Sequence, residues 1–416
     1  MFSSIPDGPW QVDATDPMAL TRILDLPNLC VIGLEYNDIQ DTLHVFCEHS
    51  IKVACCPTCQ EPSTAIHQYR KRALRDLPWA GKICVLEFVA RRFWCGACEC
   101  PFREELEWLP RNSRLTCRYR EFVFEQCRRT SIQAVHHQQR LGYKTVERLY
   151  YDLAPQHAQT AVASTVRQLG IDEFAIKKGH DQFALALSDL ETGSILTVLA
   201  DRKKETLEAH LATWTPEQRA AITEVAMDLW EPYAQAVATW LPNAQIVADR
   251  FHVMKNLNDQ VSAVRRELQR GLPEEAKHTL KGCRWLLVRN ESELSATDKD
   301  KLRRMFAVAP ALGQLHALKE DFRAIFETET QREPAKSRLE AWMTRVETSG
   351  LTKLAKFVGT LRRRFGHVLN YFPSRLTSGM VEGLNNKVKV VKRCAYGFRN
   401  FEHFALRIQV ECDGAT

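Results

Sequence analysis

The sequence lacks any apolar run approaching the roughly eighteen residues that a membrane-spanning helix requires. Its N-terminus, from Met1 to Trp10, also lacks the basic start and the hydrophobic stretch of a secretory signal peptide. No low-complexity tract or fixed-period repeat stands out, so a repeat architecture is not expected. These absences argue against a membrane partner and predict a protein that stays in the cytosol.

The charge of the chain is only mildly one-sided. Its 416 residues carry a formal net charge of +6, and 45% of them are hydrophobic and 26% charged. This composition predicts a soluble globular chain of about two to four domains. A net charge of this size permits nucleic-acid binding without arguing for it, but basic residues cluster at Arg70–Arg75, Arg362–Arg364 and Lys387–Arg393.

Cysteine is concentrated near the N-terminus. Nine of the fourteen cysteines fall between Cys30 and Cys100, in a large chain without a secretory signal, which favours metal binding over disulfides. Two Cys-x-x-Cys pairs lie 35 residues apart, and the strand-like run from Ile83 to Phe93 leads into the second pair. We interpret them as a zinc ribbon with four thiolate ligands to one structural Zn²⁺: Cys56, Cys59, Cys95 and Cys98. Unconnected core cysteines are the alternative, and Cys55 and Cys100 are further possible ligands.

Residues Cys117 to Leu153 have the pattern of short helices. An apolar face with Phe122, Val123 and Cys127 is followed by a break at Leu141-Gly142-Tyr143 and a second helical run, Thr145 to Tyr150. This pattern resembles a helix-turn-helix, whose second helix, with Arg148, would enter a major groove. An ordinary helical hairpin fits the same spacing.

From Val166 the pattern changes to strands. Three strand-like runs, 166–176, 182–188 and 194–200, are followed by a helix over Lys204–Arg219, a strand at 221–227, a second helix, and a strand at 244–248. This order is that of a ribonuclease H-like α/β domain, in which the first and fourth strands lie side by side. The charged, helical stretch 261–371 is expected to be an all-α insertion.

The predicted fold is therefore multidomain α+β. The predicted parts are an N-terminal segment (1–45), a zinc ribbon (46–108), a helix-turn-helix-like DNA-binding region (109–155), the first part of the ribonuclease H-like core (164–260), the all-helical insertion (261–371) and the C-terminal helix of the core (372–412).

Two acids occupy matching places in these strands. Asp172 lies in the first strand and Asp228 follows the fourth, so neighbouring strands would bring both carboxylates to one edge of the sheet. A lone Asp at a strand end is more often a cap or turn residue. Asp249 and His252, which follow the fifth strand, are the rival pair, and we give them a supporting role because that strand lies one position farther from Asp172.

A third acid, Glu382, lies in a helix that we expect to begin near Thr377 or Ser378. Val381, Leu384, Val388 and Val391 recur on its buried side, whereas Glu382, Asn386, Lys389 and Arg393 share the other side. That face combines a metal-binding carboxylate with groups suited to phosphate contact. A solvated face of mixed charge has the same periodicity.

Several motifs, in a fixed order along almost the whole chain, resemble the bacterial insertion-sequence transposases of the ISL-three family, within the Asp-Asp-Glu class. They are Cys56-Pro57-Thr58-Cys59, Arg75-Asp76-Leu77-Pro78, Arg91-Arg92-Phe93-Trp94-Cys95, Ile171-Asp172-Glu173-Phe174, Met227-Asp228, Asp249-Arg250-Phe251-His252, Glu382-Gly383-Leu384-Asn385-Asn386-Lys387 and Gly397-Phe398-Arg399-Asn400.

The resemblance implies an enzyme that cuts and joins double-stranded DNA, with an N-terminal part that recognises terminal inverted repeats. Asp172, Asp228 and Glu382 fall on the family's catalytic acids and would hold two Mg²⁺ (or Mn²⁺) ions. A dimer or larger assembly, bound to the bacterial nucleoid, would pair the two ends. Phosphate contacts are expected from Arg148, Arg362, Arg363, Arg364, Asn386, Lys389 and Arg393.

Two other functions remain open from the residues. One is a zinc-ribbon DNA-binding regulator with an inactive nuclease fold, against which the retained acids argue. The other is a structure-selective ribonuclease H-like nuclease or resolvase, which would share the metal site but recognise branched DNA instead of terminal repeats.

Overall fold

The computed structural model describes residues 17–162, 166–177, 182–280, 282–376, 379–395, 398 and 400–412; side chains at 159–162, 177, 275, 276, 279, 283, 379–382, 384 and 385 are excluded. The chain divides into two compact units, Met1–Leu153 and Ala154–Thr416. Within the described ranges, none of the helices has the length and apolar character needed to cross a membrane.

The first unit is built on a five-stranded sheet of order β1-β2-β6-β5, with β7 paired to β6. The strand β2 crosses the predicted boundary between residues 45 and 46 and pairs with β6, so the first strands belong to the same sheet as the cysteine-bearing strand β6. A separate two-stranded ribbon joins β3 and β4. The elements are α1 (Pro17–Leu24), β1 (Leu29–Asn37), β2 (Thr42–His49), β3 (Ala54–Cys55), β4 (Pro62–Ser63), β5 (Ile66–Trp79), β6 (Lys82–Cys95) and β7 (Cys100–Arg103).

The long hairpin of β5 and β6 is formed by local sequence. Ala80 and Gly81 both take positive φ angles, 48° and 76°, which is the backbone of the tight turn that suits a twisted hairpin. In β6 the buried residues Cys84, Leu86 and Phe88 alternate with less buried neighbours, so one face of the sheet enters the core.

Three helices follow: α2 (Cys117–Arg129), α3 (Ile132–Gln139) and α4 (Tyr143–Val162). The hydroxyls of Thr116 and Ser131 cap α2 and α3 by accepting hydrogen bonds from backbone N–H groups. Arg140, at φ 48°, ends α3. The predicted break near Leu141–Tyr143 is therefore confirmed.

The second unit contains a five-stranded mixed sheet of order β10-β9-β8-β11-β12. The first three strands form the predicted antiparallel meander, and β11 is parallel to both β8 and β12. The predicted adjacency of the first and fourth strands is thus found, as Met227 lies opposite Ile171. The strands are β8 (Gln168–Lys177), β9 (Gln182–Asp189), β10 (Ser194–Leu199), β11 (Glu224–Met227) and β12 (Gln245–Ala248).

The single helix predicted over Lys204–Arg219 is wrong, since the structure has two: α5 (Lys204–Ala212) and α6 (Pro216–Ala221). Pro216 cannot continue a helix from the preceding turn because it has no N–H, and Thr215 starts α6 with a capping box to Gln218. The next helix, α7 (Glu231–Trp240), was predicted, and it covers the same face of the sheet as α5.

The rest of the second unit is helical. Its members are α8 (Arg250–Arg270), α9 (Glu274–Thr279), α10 (Cys283–Val288), a 3₁₀ turn (Glu291–Glu293), α11 (Ala296–Val308), α12 (Pro310–Thr328), α13 (Arg332–Thr348), α14 (Thr352–Arg363), α15 (Phe365–Ser374), α16 (Gly379–Cys394) and α17 (Phe401–Glu411).

The last three helices cover the other face of the sheet. Helix α15 packs on β12, α16 on β8 and α17 on β10. Phe174 of β8 belongs to the cluster of α16 and α17, whereas Ile171 belongs to the cluster of α5 and α7. Because side chains alternate along a strand, Asp172 shares the face of Phe174.

Candidate active site and nucleic-acid interface

The four cysteines of the two knuckles converge in the first unit. The Sγ atoms of Cys56, Cys59, Cys95 and Cys98 all lie within 4.8 Å of one another. Two of the pairs, Cys59–Cys95 and Cys56–Cys98, are 3.4 and 4.0 Å apart. Sulfurs placed about 2.3 Å from a tetrahedral Zn²⁺ would be about 3.8 Å apart, so the cluster fits zinc.

The knuckle turns prepare these thiols for metal binding. Backbone N–H groups of Cys59 and Thr58 point at the Cys56 sulfur and lower the pKa of that thiol to about 6. In the second knuckle the N–H of Cys98 donates to the Cys95 sulfur, at 3.3 Å. Within the described residues, the metal-binding group does not include Cys55 or Cys100, which answers the question the sequence left open.

An arginine-lined groove runs beside α4 in the first unit. It has a volume of about 830 Å³, and its wall includes β5, the loop 111–115 and α4. Arg148, the predicted DNA contact, is exposed on this groove. Arg75, from the basic cluster Arg70–Arg75, also lines it. Three further arginines of the groove were not predicted, although their spacing over ten residues was a usable signal: Arg111, Arg114 and Arg120.

The electrostatics of this region favour an anion. Burial and then the charges of Arg70, Arg103 and Arg114 lower the pKa of Arg72, which shows how closely the cations are crowded. Arg120 has a carboxylate partner, Asp152, at 3.9 Å. A crowded set of cations lowers its own repulsion by binding phosphate.

Two residues of the Arg75-Asp76-Leu77-Pro78 motif tie β5 to the helices. The Arg75 guanidinium donates to the carbonyl of Gln139 at 2.8 Å and to the hydroxyl of Tyr119 at 3.0 Å. The buried Asp76 carboxylate accepts hydrogen bonds from the Thr116 hydroxyl and the Arg118 guanidinium. The cysteine-bearing sheet therefore sets the orientation of α2 and α3.

In the second unit the candidate acids lie at one edge of the sheet. Asp172 follows Ile171 and Asp228 follows Met227. Ile171 and Met227 lie opposite each other in the parallel strands β8 and β11. The N–H of Glu173 donates to Asp172 Oδ1 at 2.8 Å, and that of Leu229 donates to Asp228 Oδ1 at 2.6 Å. Each carboxylate is therefore oriented by a neighbouring backbone N–H.

His252 joins the three aspartates of this edge. Its Nε2 lies 3.3 Å from Asp172 Oδ1 and 3.6 Å from Asp249 Oδ2, and its Nδ1 lies 3.7 Å from Asp228 Oδ2. Asp249, only 1% exposed, also caps α8 by accepting from the N–H of Phe251. As predicted, the strand before Asp249 lies one position farther from Asp172 than the strand before Asp228. The first turn of α8 nevertheless places His252 beside both Asp172 and Asp228.

The pKa of His252 records the charge of this cluster. Burial acts to lower it, but the hydrogen bond to Asp172 and the charges of Asp228 and Asp249 outweigh burial, so the pKa is raised. The carboxylates thus converge on a position that favours positive charge. Hard oxygen donors around such a position are the ligands that Mg²⁺ prefers.

Helix α16, which contains the third predicted acid, packs on the face of β8 that Asp172 shares. Val388 and Val391 are buried with Phe174, two residues beyond Asp172, as the predicted helix face requires. Glu382 lies in α16, about 9 Å along the helix axis from Val388, but its side chain is outside the described residues. Thr377 and Ser378, the expected start of the helix, are also outside them.

The polar face of α16 is open to solvent where the structure describes it. Asn386, Lys389 and Arg393 are exposed, and the Lys389 ammonium donates to the side-chain amide oxygen Oδ1 of Asn386 at 3.0 Å. These are the predicted phosphate contacts of this helix.

The predicted cluster Arg362–Arg364 at the end of α14 is less uniform. The Nε and Nη2 atoms of Arg362 both donate to the Glu347 carboxylate. Arg363 donates to the Thr360 hydroxyl. Arg364 is largely buried against Glu231, the first residue of α7. Arg364 is therefore placed to hold α7 beside the acidic edge.

Comparison with known proteins identifies the family of the chain. Residues 169–408 match a family model described as "Transposase", residues 52–98 one for the "zinc-finger of transposase IS204/IS1001/IS1096/IS1165", and residues 104–154 one for the "Helix-turn-helix domain of transposase family ISL3". These matches place the chain among the transposases, which are enzymes that act on DNA.

The chain belongs to the ISL3 family of transposases. It is 30% identical over 378 residues to the transposase for insertion sequence element IS1001 of Bordetella parapertussis, covering 90% of this chain and 92% of that protein. It is also 25% identical over 356 residues to the transposase for insertion sequence element IS1557 of Mycobacterium tuberculosis, covering 79% of each. The helix-turn-helix prediction is confirmed, and the protein is a DNA transposase with a DNA-binding N-terminal part.

Proposed function

We propose that this transposase cuts and joins DNA at the ends of its insertion sequence through a metal site formed by Asp172, Asp228 and Glu382. The observation that carries the proposal is the convergence of two carboxylates on a single imidazole: Asp172 lies inside β8, one residue past its last pair with β11, and Asp228 directly follows β11. Carboxylates collected from distant parts of a chain are the donors of two-metal phosphoryl transfer.

The chain's own residues would perform three tasks. Asp172, Asp228 and Glu382 would hold two Mg²⁺ or Mn²⁺ ions, which when bound stabilise the attacking and leaving oxygens of a phosphodiester. Asp249 fixes the start of α8 and so holds His252 beside the acids. Both ring nitrogens of His252 face these acids, and a ring N–H would orient the scissile phosphate once Asp172 and Asp228 hold metal in place of the imidazole.

We infer that the second unit is a ribonuclease H-like core interrupted by an all-helical insertion. The mixed sheet order, the parallel pairing of β8 with β11, and the return of α16 to β8 after the helices α8–α15 support this reading. The core would comprise residues 164–260 and 372–412, with 261–371 inserted.

Sequence recognition would belong to the first unit. The zinc ribbon (46–108) and the helix-turn-helix (109–155) would then read the terminal inverted repeats. Helix α4, which forms part of the arginine-lined groove of the protein, would enter a major groove of the DNA. Arg148 there, with Arg362, Arg363, Asn386, Lys389 and Arg393 in the second unit, would contact phosphates, whereas Arg364 would hold α7 through its contact with Glu231. Because two ends are joined in one reaction, the working complex would be a dimer or larger.

The test is Mg²⁺-dependent cleavage of DNA carrying the element's own ends. Asp172→Asn and Glu382→Gln should abolish cleavage while leaving inverted-repeat binding intact, because each removes one metal-binding carboxylate without touching the first unit. Asp321→Asn, which removes an exposed carboxylate of α12 that pairs with Arg345, is the matched control and should cleave normally.

Cleavage by Asp172→Asn at the normal rate would overturn the metal-site assignment. Cleavage by none of the proteins, with binding intact, would favour a DNA-binding regulator. Equal cleavage of branched DNA that lacks the element's ends would favour a structure-selective nuclease.

A further inference from the structure

Two large aromatic rings are exposed at the acidic edge of the sheet. Trp230 is 39% exposed and Phe251 is 50% exposed. Each stands two residues after an aspartate that follows a strand, in Asp228-Leu229-Trp230 and in Asp249-Arg250-Phe251. Because β11 and β12 are paired in register, with Met227 opposite Ala248, the two residues come at equivalent sequence positions after neighbouring strands, Trp230 at the N-cap of α7 and Phe251 in the first turn of α8.

Both rings border the acid cluster. Trp230 is at most about 7 Å along the backbone from Asp228. Phe251 precedes His252, whose Nδ1 lies 3.7 Å from Asp228 Oδ2. At about 3.4 Å for each base pair of a duplex, the backbones that carry the rings lie within a few base-pair steps of a phosphate held by the acids.

The surrounding structure holds both rings in place. The Trp230 ring meets the edge of Tyr233, with ring centres 4.5 Å apart, and the buried Tyr233 donates its hydroxyl proton to Glu173 Oε1 at 2.8 Å. The Phe251 ring lies perpendicular to the His252 ring, with ring centres 5.4 Å apart, and the Phe251 backbone N–H donates to Asp249 Oδ1 at 3.1 Å. Rings held in this way lose little conformational entropy when a partner stacks on them.

The chemistry around the rings favours nucleobases over a protein partner. Charged residues are immediate neighbours of both rings in sequence: Glu231 follows Trp230, and Arg250 precedes Phe251. The buried centre of a protein–protein interface is depleted of charge. Aromatic rings combined with positive charge, which Arg250 supplies here, are the usual platform for single-stranded nucleic acid.

We propose that Trp230 and Phe251 form a stacking platform for unpaired DNA bases next to the scissile phosphate. The proposal rests on the proposed function, because it takes the acids to be the cleavage site. In a duplex the faces of the bases are covered by their neighbours, so stacking on these rings requires the end of the element to be locally opened. The platform would therefore stabilise the opened form of the DNA.

The experiment compares Trp230→Ala and Phe251→Ala with Trp285→Ala, a control that removes a 64% exposed tryptophan of α10 in the same unit. Each protein is given the element's end either fully paired or with two mismatched pairs at the cleavage position. The two test variants should cleave the paired end roughly 5- to 150-fold more slowly, the value of one base–aromatic stack. The loss should shrink on the mismatched end, where unpairing has already occurred.

A second readout does not require cleavage. A fluorescent adenine analogue at the cleavage position should change its emission when the unaltered protein or Trp285→Ala binds, and this change should be absent with Trp230→Ala and Phe251→Ala. Retained binding of the inverted repeat and an unchanged thermal midpoint would show that the variants are folded.

Equal losses on paired and mismatched ends, or no loss in either variant, would overturn the platform. A lower oligomeric mass of the variants, with an unchanged emission response, would instead assign the rings to contact with a second copy of the chain. If the unaltered protein cleaves neither substrate, the proposed function fails, and the emission response still decides whether the rings hold unpaired bases.

Discussion

Replacing Asp76 by Asn tests whether the sheet of the first unit fixes the helix-turn-helix. Asp76 is 1% exposed, and its two oxygens accept from the Thr116 hydroxyl and from two nitrogens of Arg118. An amide offers one accepting oxygen and turns its NH₂ group toward a guanidinium donor. The variant therefore leaves Arg118 without its buried counter-charge.

The expected loss of stability follows from this geometry. Removing one partner of a buried ion pair costs about 3–5 kcal/mol. Because the Arg118 side chain is 29% exposed and can regain water, the lower end of about 3 kcal/mol is expected. A unit of this size loses about 2–4 °C for each kcal/mol, so its thermal midpoint should fall by roughly 6–12 °C.

The assay is thermal unfolding of the full chain with excess Zn²⁺. The transition of the first unit is recognised because a zinc chelator also shifts it. Asp41→Asn is the control, since it makes the same charge change in an exposed pair with Lys82 worth about 0–1 kcal/mol. Equal midpoints for the two variants would refute the reasoning. Binding to the inverted repeat gives a second check, because loss of a negative charge alone should strengthen DNA binding, whereas a loosened helix-turn-helix should weaken it.

Three further outcomes are expected. Cys95→Ser should lose bound zinc, measured as metal content per chain, and with it inverted-repeat binding; retention of zinc by this variant but not by Cys100→Ser would move the site. Arg148→Ala should make the logarithm of the DNA-binding constant less steep against the logarithm of salt concentration by about 0.9; an unchanged slope would remove Arg148 from the phosphate contacts. Burial and then the charge of Lys319 lower the pKa of His316, so the unfolded chain binds more protons near pH 6 and the free energy of unfolding should fall as the pH drops through about 6.5. Between about pH 7.5 and 5.5, His316→Gln should lose less of its free energy of unfolding than the unaltered protein, measured by urea unfolding. Equal losses in the two proteins would contradict this.

The parts of the fold that the sequence predicted are those governed by local signals. The knuckle spacing predicted the cysteine cluster, and the apolar alternation of 182–188 and 194–200 predicted β9 and β10. The helix over Lys204–Arg219 failed because the apolar period continues across Thr213–Thr215, while the break depends on Pro216 and on the cap at Thr215. A period reports which face is buried, and it carries less information about where the backbone turns.

Contacts between distant segments were mostly out of reach. The arginine-lined groove joins β5, the loop 111–115 and α4, and neither its concavity nor its lining can be read from residue order. Arg364 appeared in the sequence as one member of a basic run and is instead largely buried against Glu231, more than a hundred residues earlier. A charge run shows that cations are present, but only packing decides which of them face solvent.

The acidic edge shows why strand order alone is an incomplete guide to a site. Distance in the sheet ranked Asp249 behind Asp228, because β12 lies beyond β11. Asp249 nevertheless ends its strand by capping α8, and the first turn of that helix points His252 back toward Asp172 and Asp228. A strand that runs directly into a capped helix can thus place a side chain of that helix beside residues of the neighbouring strands. The same first turn of α8 exposes Phe251. His252, which lies between the acids, and the ring that we propose to hold a base therefore come from one turn of one helix.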